Sequence, residues 1–227
     1  MDSSNRTGLK DYSSPEGHVL LVDKPLQWTS FDVVKKLKYA LNLKKVGHAG
    51  TLDPLATGLL IICTGKKTKT IEGYQSQGKE YEGTLVLGST TPSFDLETKP
   101  TPSVDISMLE EAAIKNATKD FIGEIEQTPP IFSAVKIDGK RAYKHARKGD
   151  DIKLKSRIVT VDEFSITDIN LPEVKFRVRC SKGTYIRSLV NDFGQTLNVG
   201  AYMSQLRRTK IGEYDVNNAQ SIEELTA

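Results

Sequence analysis

Runs of apolar residues along the chain predict four strands. Val19–Val22 is a short apolar run, and Leu59–Cys63 is a longer one bounded by glycines, as in a buried strand. Tyr81–Leu87 has strand character, and Val174–Cys180 alternates apolar with basic residues. We expect this last strand to have one face in the core and one basic face.

Helical periodicity predicts two helices. The first begins after Ser30, which is placed to cap it, and its apolar residues are Phe31, Val34, Leu37 and Leu41. The second follows Ser107 and Glu110, which have the spacing of a capping box, and should finish near Gly123. Its apolar stripe begins with Leu109, Ala112 and Ala113.

Turn-forming residues separate these elements. Residues 89–106 are rich in Ser, Thr, Pro and Asp, which predicts an exposed loop. The next predicted elements are a strand over Ile131–Ile137, a hairpin turn at Asp138–Gly139 and a short basic helix over Ala142–Lys148 that ends at Gly149. Strands and helices mix without regular alternation, so the sequence predicts an α+β fold with a mixed or antiparallel central sheet flanked by helices.

The two ends of the chain differ in composition from its middle. Residues 1–17 are polar and rich in Ser, Asn and Gly, so we interpret them as a mobile N-terminal leader. The rest of the chain is long enough to bury a proper core. We therefore expect one catalytic domain over residues 18–227.

Composition argues against a membrane or metal protein. No stretch approaches the roughly 18 apolar residues of a membrane span, and the N-terminus lacks an apolar signal segment, so we expect the cytoplasm. Cys63 and Cys180 lie in strand-like runs and are expected to be reduced core thiols. His18 and His145 have no companion at ligand spacing. No metal site is predicted.

The charge of the chain is unevenly distributed. The formal net charge is +3, yet residues 136–157 hold nine Lys or Arg against three Asp. Such a segment can attract the phosphates of a nucleic acid, although a lysine-rich stretch is more often a solvated face. Charge alone therefore leaves both interpretations open.

Residues 47–58 carry the most informative pattern in the chain. They read Gly-His-Ala-Gly-Thr-Leu-Asp-Pro-Leu-Ala-Thr-Gly, with three glycines in twelve positions, which argues for a shaped loop. Pro54 disfavours helical backbone at Asp53, so this carboxylate should be held in extended or turn geometry. An ordinary Asp-Pro turn is the alternative.

This loop resembles the signature of TruB-type pseudouridine synthases, Gly-His-x-Gly-x-Leu-Asp-Pro-x-Ala-x-Gly, at every fixed position. The similarity extends from about Leu20 to about Gly212. It includes Asp23-Lys24-Pro25, Lys79-Glu80-Tyr81, the segment Gln127–Lys136, the segment Cys180–Arg187, and Leu206-Arg207-Arg208. The resemblance implies the pseudouridine synthase fold. It also implies conversion of a uridine in the T-loop of tRNA, at position 55, to pseudouridine.

The family resemblance assigns roles to six residues. Asp53 is implied as the essential catalytic carboxylate, and Arg187 as the cation that pairs with it and keeps it ionised. The residues implied to bind the flipped substrate nucleotide, along with Arg187, are His48, Tyr81, Tyr185 and Leu206. Without the resemblance, tyrosines and leucines in such runs are most often core residues, and His48 could simply stabilise the loop.

The implied reaction breaks the C1′–N1 bond, turns the bound uracil and joins C5 to C1′. It calls for a positioned carboxylate and no redox cofactor or metal, so no cofactor is expected. Many relatives carry a small C-terminal RNA-binding domain, which we expect this chain to lack. We expect a stand-alone monomer that acts on tRNA without a guide RNA. The alternative is a non-catalytic RNA-binding or tRNA-folding module.

Overall fold

The computed structural model describes residues 12, 14–133, 135–137, 139–146, 150 and 154–227. The described strands are, in chain order, β1 (Val19–Lys24), β2 (Val46–His48), β3 (Ala56–Thr64), β4 (Lys79–Leu87), β5 (Gly123–Gln127), β6 (Lys136–Ile137), β7 (Lys140–Arg141), β8 (Arg157–Asn170), β9 (Glu173–Cys180), β10 (Ala201–Ile211) and β11 (Tyr214–Asp215). The described α-helices are α1 (Ser30–Ala40), α2 (Ile71–Ser76), α3 (Glu111–Ala117), α4 (Ala142–Ala146), α5 (Ile186–Thr196) and α6 (Ile222–Thr226).

The described residues divide into two compact units. Unit 1 lies within Met1–Gln77 and Arg207–Ala227, and unit 2 within Gly78–Leu206. Strand β10 has residues in both units. The prediction of one catalytic domain over residues 18–227 stays a prediction.

Unit 1 is built around β3. Strands β1 and β2 both pair with it antiparallel, with Leu21 opposite Ile61 and His48 opposite Ile62. One face of β3 packs on α1 and α6 in a cluster that includes Leu60 and Ile62, and the other face packs in a second cluster through Leu59, Ile61 and Cys63. Because both faces are buried, the strand reads as a continuous apolar run.

Unit 2 holds an antiparallel sheet with the order β4-β9-β8-β5. Buried and exposed positions alternate along β9, as predicted. The buried residues are Val174, Phe176, Val178 and Cys180. Phe164, Phe176 and Phe193 are buried, and their rings meet edge to face. The predicted α+β fold class is confirmed.

The outer face of β9 is not simply basic. Lys175 forms an ion pair with Asp168 at 3.0 Å, and Arg177 forms one with Glu163 at 2.8 Å. Acidic residues of the neighbouring strands therefore offset the positive charges that the sequence alone placed on a basic face.

The first helix begins differently from the prediction. Thr29, rather than Ser30, is the N-cap, and it forms a capping box with Asp32. Phe31, predicted on the core face, is 68% exposed, while Val33 is buried in its place. Val34 and Leu37 are buried and Leu41 packs against the same cluster, as predicted, so only Phe31 was assigned to the wrong face.

The second helix was also placed with the wrong start. It begins at Glu111, and its N-cap Glu110 makes no side-chain capping bond. Ser107 instead donates its backbone N–H to Asp105 at 2.9 Å. Ala112 and Ala113 are exposed, so the predicted apolar stripe is wrong.

The segments before and after this helix also differ from expectation. Residues 89–106 form a loop, as predicted, but Ser93 and Asp95 within it are buried rather than exposed. Within the described part of Ile131–Ile137, only Lys136–Ile137 is a strand. The backbone earlier in this segment instead accepts a hydrogen bond from a side chain of α5, as described below. Ile137 pairs antiparallel with Lys140, as the predicted hairpin requires, while Asp138 of the predicted turn lies outside the described residues. Helix α4 ends at Ala146, and Lys148 and Gly149 lie outside the described residues.

Part of the predicted leader is held against unit 1. Residues 1–11 and 13 lie outside the described part of the chain. Tyr12 meets the ring of His18 edge to face, and Pro15 accepts a backbone hydrogen bond from Lys66 at 3.1 Å. Contacts therefore begin before His18.

The two cysteines lie in β3 and β9. Cys63 and Cys180 are buried free thiols, as predicted, and burial raises the pKa of Cys180 to about 11. Among the described residues, no helix combines the length and apolar character needed to cross a membrane.

Candidate active site

Asp53 opens a tight turn between β2 and β3. Its carbonyl accepts the N–H of Ala56 at 3.1 Å, and Pro54 occupies the second position of the turn, where its fixed φ angle is favoured. The side chain is half-buried. The turn backbone predicted for Asp53 is therefore present, and a catalytic role for its carboxylate stays a prediction.

Lys24 anchors the far side of this turn. It is fully buried, and its ammonium group donates to the carbonyls of Pro25 at 2.8 Å, Trp28 at 2.6 Å and Pro54 at 3.5 Å. Gln27 adds a backbone hydrogen bond to Pro54 at 2.8 Å. Lys24 therefore supports the loop of Asp53, and its ammonium group is occupied by backbone carbonyls.

The charge of Lys24 is coupled to Asp53. The pKa of Lys24 is lowered from 10.5 to about 8, because burial and, to a smaller extent, the nearby Arg208 disfavour the charged form more than the Asp53 carboxylate favours it. The interaction is mutual, so the protonated ammonium favours the ionised form of Asp53. Lys24 is a cation beside Asp53 that the sequence did not assign to this role.

Arg208 holds the chain that leads into the turn. It is 1% exposed and donates through Nε to Leu59 O at 2.8 Å, through Nη1 to Thr51 O at 3.5 Å and through Nη2 to Gly50 O at 3.3 Å. A guanidinium group can serve several carbonyls at once because its donors diverge in a plane. The sequence marked Arg208 only as part of a matched motif, and its partners lie about 150 positions away.

Ser30 completes the support of the loop. Its hydroxyl accepts the N–H of Leu52 at 2.8 Å and donates to Leu52 O at 3.2 Å. Both backbone groups of the residue before Asp53 are therefore satisfied by one buried side chain. This explains why Ser30 is not the cap of α1.

His48 ends β2 in the same loop. Burial lowers the pKa of its imidazole, Arg208 lowers it further, and a backbone hydrogen bond with Gly50 opposes the shift. Its Nδ1 is buried and has no hydrogen-bond partner among the described residues. The ring is therefore neutral at neutral pH and can offer shape or a hydrogen bond, but no charge, to a phosphate.

Tyr81 and Leu206 lie in strands of unit 2. Tyr81 is in β4 opposite Val178, and Leu206 is the last residue of β10 in this unit. Each is 8% exposed. Their burial fits both a core residue and one wall of a pocket.

Tyr185 precedes α5 and is held from two sides. Gln127 accepts its backbone N–H at 2.7 Å and donates to its carbonyl at 3.1 Å. The guanidinium carbon of Arg157 lies 4.7 Å from the centre of its ring. The sequence marked Gln127 only as part of a matched motif and Arg157 only as part of the basic segment 136–157.

Arg187 lies in the first turn of α5 and is 3% exposed. Its guanidinium forms an ion pair with Asp95 at 3.5 Å and donates to Ser93 O at 3.2 Å and Phe132 O at 3.0 Å. Arg187 is therefore not a surface arginine. Its pairing with Asp53 stays a prediction.

The six predicted residues thus fall into two groups. Asp53 and His48 belong to one loop of unit 1, held by side chains of that unit. The other four residues belong to unit 2. Tyr185 and Arg187 lie at the start of α5, Tyr81 lies in β4 and Leu206 lies in β10. Within the described part of the chain, no three His, Cys, Asp or Glu side chains are grouped to hold a metal ion.

Unit 1 also contains a basic cavity of about 580 Å³. Its cationic lining is formed by Lys44, Lys45, Lys66 and Lys69. Lys66 is paired with Glu16 at 2.6 Å. These four lysines do not stand out in the sequence, because they come from two separate segments of the chain.

Comparison with known proteins assigns the chain to a family. A family model described as the N-terminal domain of TruB family pseudouridylate synthase matches residues 38–186, and one described as the tRNA pseudouridylate synthase B C-terminal domain matches residues 187–227. The chain belongs to the TruB pseudouridylate synthase family. The predicted family and enzyme class, an isomerase that forms pseudouridine, are thereby confirmed.

Relatives in this family are similar over nearly their whole length. The tRNA pseudouridine synthase B of Flavobacterium johnsoniae is 58% identical over 214 residues, which cover 91% of this chain and 93% of that protein. The tRNA pseudouridine synthase B of Phocaeicola vulgatus is 53% identical over 214 residues, which cover 92% and 91% respectively.

Solved structures show the same fold. A Cbf5-Nop10-Gar1 complex matches with a TM-score of 0.71 at 31% identity, and an H/ACA RNP bound to a substrate RNA containing 2′-deoxyuridine matches with 0.69 at 29%. Both matches cover 98% of this chain, which spans 60% of the length of each solved chain. The predicted pseudouridine synthase fold is confirmed.

Proposed function

We propose that this TruB-family chain converts a uridine in the T-loop of tRNA, at position 55, to pseudouridine, with Asp53 as the essential carboxylate. Family membership supports pseudouridine formation, and the relatives named tRNA pseudouridine synthase B support tRNA as the substrate. The observation that carries the role of Asp53 is the buried set of donors, Lys24, Arg208 and Ser30, which hold its loop.

A rigid loop is what this chemistry requires. The C1′–N1 bond breaks, the uracil turns while it remains bound, and C5 bonds to C1′; C5 loses a proton and N1 gains one, so the product is an isomer. A carboxylate must meet the nucleotide in one geometry, and an error of about 1 Å can cost about a hundredfold in rate. Lys24 favours the ionised form of Asp53 that can act as nucleophile or base.

The other predicted residues receive roles around the flipped nucleotide. We assign stacking on the base to Tyr81, and the remaining walls of the pocket to Tyr185 and Leu206. We propose that the positive charge of Arg187 serves the reaction, as the family resemblance implies. His48, with a neutral ring, fills space or donates a hydrogen bond beside the nucleotide.

The basic cavity of unit 1 supports binding to the tRNA backbone. Lys44, Lys45 and Lys69 line a concave surface of about 580 Å³, and phosphates bind to such groups with release of counterions. The basic segment 136–157 is a second candidate. We propose that the enzyme acts in the cytoplasm as a monomer without a guide RNA, although the solved relatives include H/ACA particles.

A non-catalytic RNA-binding module would also carry the lysines. It would have no need of a half-buried carboxylate in a loop held by a lysine, an arginine and a serine, because a carboxylate repels phosphates. The enzyme is the better supported proposal.

Position mapping tests the proposed substrate. The purified protein is incubated with an unmodified tRNA transcript and with a matched transcript in which the position-55 uridine is replaced by cytidine, and pseudouridine is mapped by chemical labelling. The proposal predicts one modified position in the first transcript and none in the second. Modification elsewhere would refute T-loop specificity, and an unmodified first transcript would refute the proposed function.

A further inference from the structure

Gln127 makes a contact that the reaction itself does not explain. It ends β5, is 1% exposed, and pairs with the backbone of Tyr185, 58 residues away in the chain. Its amide oxygen accepts the Tyr185 N–H at 2.7 Å and its amide nitrogen donates to the Tyr185 carbonyl at 3.1 Å. Both ends of one side chain thus bind both polar groups of one residue.

The residues after Gln127 continue this contact along the start of α5. The Thr128 carbonyl accepts the hydroxyl of Ser188 at 2.8 Å, and the Phe132 carbonyl accepts Arg187 Nη2 at 3.0 Å. Residues 127–132 therefore contact Tyr185, Arg187 and Ser188. This explains why the chain here is not the strand that its apolar residues suggest.

A second contact fixes the ring of Tyr185. Arg157, the first residue of β8, places its guanidinium 4.7 Å from the ring centre and donates to the carbonyl of Gly183. Tyr185 itself makes no side-chain capping bond for α5. Its carbonyl accepts the N–H of Leu189 at 3.1 Å, so the first turn of α5 and Gln127 hold the same residue.

We propose that Gln127 is a positioning residue: its amide fixes Tyr185 at the start of α5, and with it the placement of Arg187, for the chemical step. This inference rests on the proposed function, in which Tyr185 and Arg187 adjoin the reacting nucleotide. Gln127 does not touch the substrate and acts through these two residues.

The effect should appear in turnover rather than in RNA affinity. Binding of tRNA is dominated by phosphate contacts, to which a buried amide contributes nothing. Retention and rotation of the detached uracil depend on the geometry of the pocket at the time of reaction. Loss of the amide should therefore lower the single-turnover rate while the dissociation constant for tRNA is nearly unchanged.

The first test replaces Gln127 with methionine, which keeps the length of the side chain and removes both hydrogen bonds. Ile114→Ala is the control, because Ile114 is a buried residue of the same unit, on α3, whose side chain has no hydrogen-bonding group. We expect Gln127→Met to lower the single-turnover rate by about tenfold or more, with the dissociation constant within about threefold of wild type. Ile114→Ala should lower Tm without a comparable loss of rate.

The second test uses Gln127→Glu and the pH dependence of its rate. A protonated glutamic acid can accept and donate as the amide does, whereas the carboxylate would face the Tyr185 carbonyl with its negative charge. Burial raises the pKa of such a group. The ratio of the variant rate to the wild-type rate should therefore fall as pH rises from about 6 to about 9.

Three results would overturn the proposal. These are a Gln127→Met rate no lower than that of the Ile114→Ala control, a loss of rate matched by an equal loss of tRNA affinity, and a Gln127→Glu rate ratio that does not change with pH. In each of these the wild type still forms pseudouridine, so the proposed function stands. A wild type that forms no pseudouridine overturns both proposals.

Discussion

At the scale of single residues, three buried donors hold the backbone around Asp53. Lys24 donates to the carbonyl of Pro54, which follows Asp53. Ser30 binds both backbone polar groups of Leu52, which precedes Asp53, and Arg208 donates to carbonyls on both sides of the turn. A buried carbonyl left without a donor costs about 1–3 kcal/mol. The same bonds also fix the backbone on both sides of Asp53.

The lowered pKa of Lys24 predicts how stability depends on pH. Below about pH 8 both folded and unfolded chains carry the proton, and burial of the charge costs stability; between about 8 and 10.5 only the unfolded chain binds it. The free energy of unfolding contributed by Lys24 should therefore increase with pH in this window. Urea unfolding of wild type and Lys24→Met at several pH values measures the difference.

The exposed Lys36 supplies the control for this experiment. The difference between wild type and Lys36→Met should be flat over the same range. A flat difference for Lys24→Met as well would show that the ammonium is not held in the environment described here.

At the scale of elements, the start of α1 shows which features of the fold can be predicted from the sequence and which cannot. The strands β1, β3, β4 and β9 and the period of α1 follow from local apolar patterns. The choice between Thr29 and Ser30 as cap does not, because both have a hydroxyl and only the position of Leu52, 22 residues later, decides which one turns inward. Contacts between distant segments decide such details.

In the candidate site, too, some residues could be assigned from local sequence and others depend on contacts between distant segments. The motif around Asp53 identified the loop, because residues 47–58 match the family signature at every fixed position. Arg208, Asp95 and Gln127 could not be assigned from local pattern, since their partners lie between 58 and 158 positions away along the chain. The capping box proposed at Ser107 failed for the opposite reason: a local motif was present, but Asp105 occupied the backbone N–H first.

The neighbours Thr29 and Ser30 provide a matched pair of variants. Thr29→Ala removes the cap of α1 and should cost about 1 kcal/mol of stability with little change in turnover. Ser30→Ala removes both bonds to Leu52 and should lower the single-turnover rate by about tenfold, because the residue before Asp53 is released. Urea unfolding and single-turnover assays on both variants separate the two effects. Equal rates would contradict a positioning role for Ser30.

At the scale of the whole molecule, the position of charge matters more than its total. The net charge is only +3. Acidic partners offset the cations on the outer face of β9, whereas the lysines of the unit 1 cavity are concentrated around one concave surface. We therefore expect RNA to be bound through the cavity and the basic segment 136–157 rather than through the sheet face.

Salt dependence of tRNA binding tests this distribution. Lys69→Ala should reduce the slope of log Kd against log salt concentration by about one, because one phosphate contact is lost. Lys175→Ala, which removes an equal charge paired with Asp168, should leave the slope unchanged. Equal slopes for the two variants would contradict the assignment of the cavity.

The central claim is that Asp53 carries the reaction of this TruB-family chain on tRNA. Tritium release from a tRNA T-arm hairpin labelled at uridine C5 tests it most directly, because C5 loses its hydrogen when it bonds to the ribose. Wild type should release tritium without added cofactor, and Asp53→Asn at equal concentration should bind the RNA and release none. Release by Asp53→Asn at the wild-type rate would contradict the account.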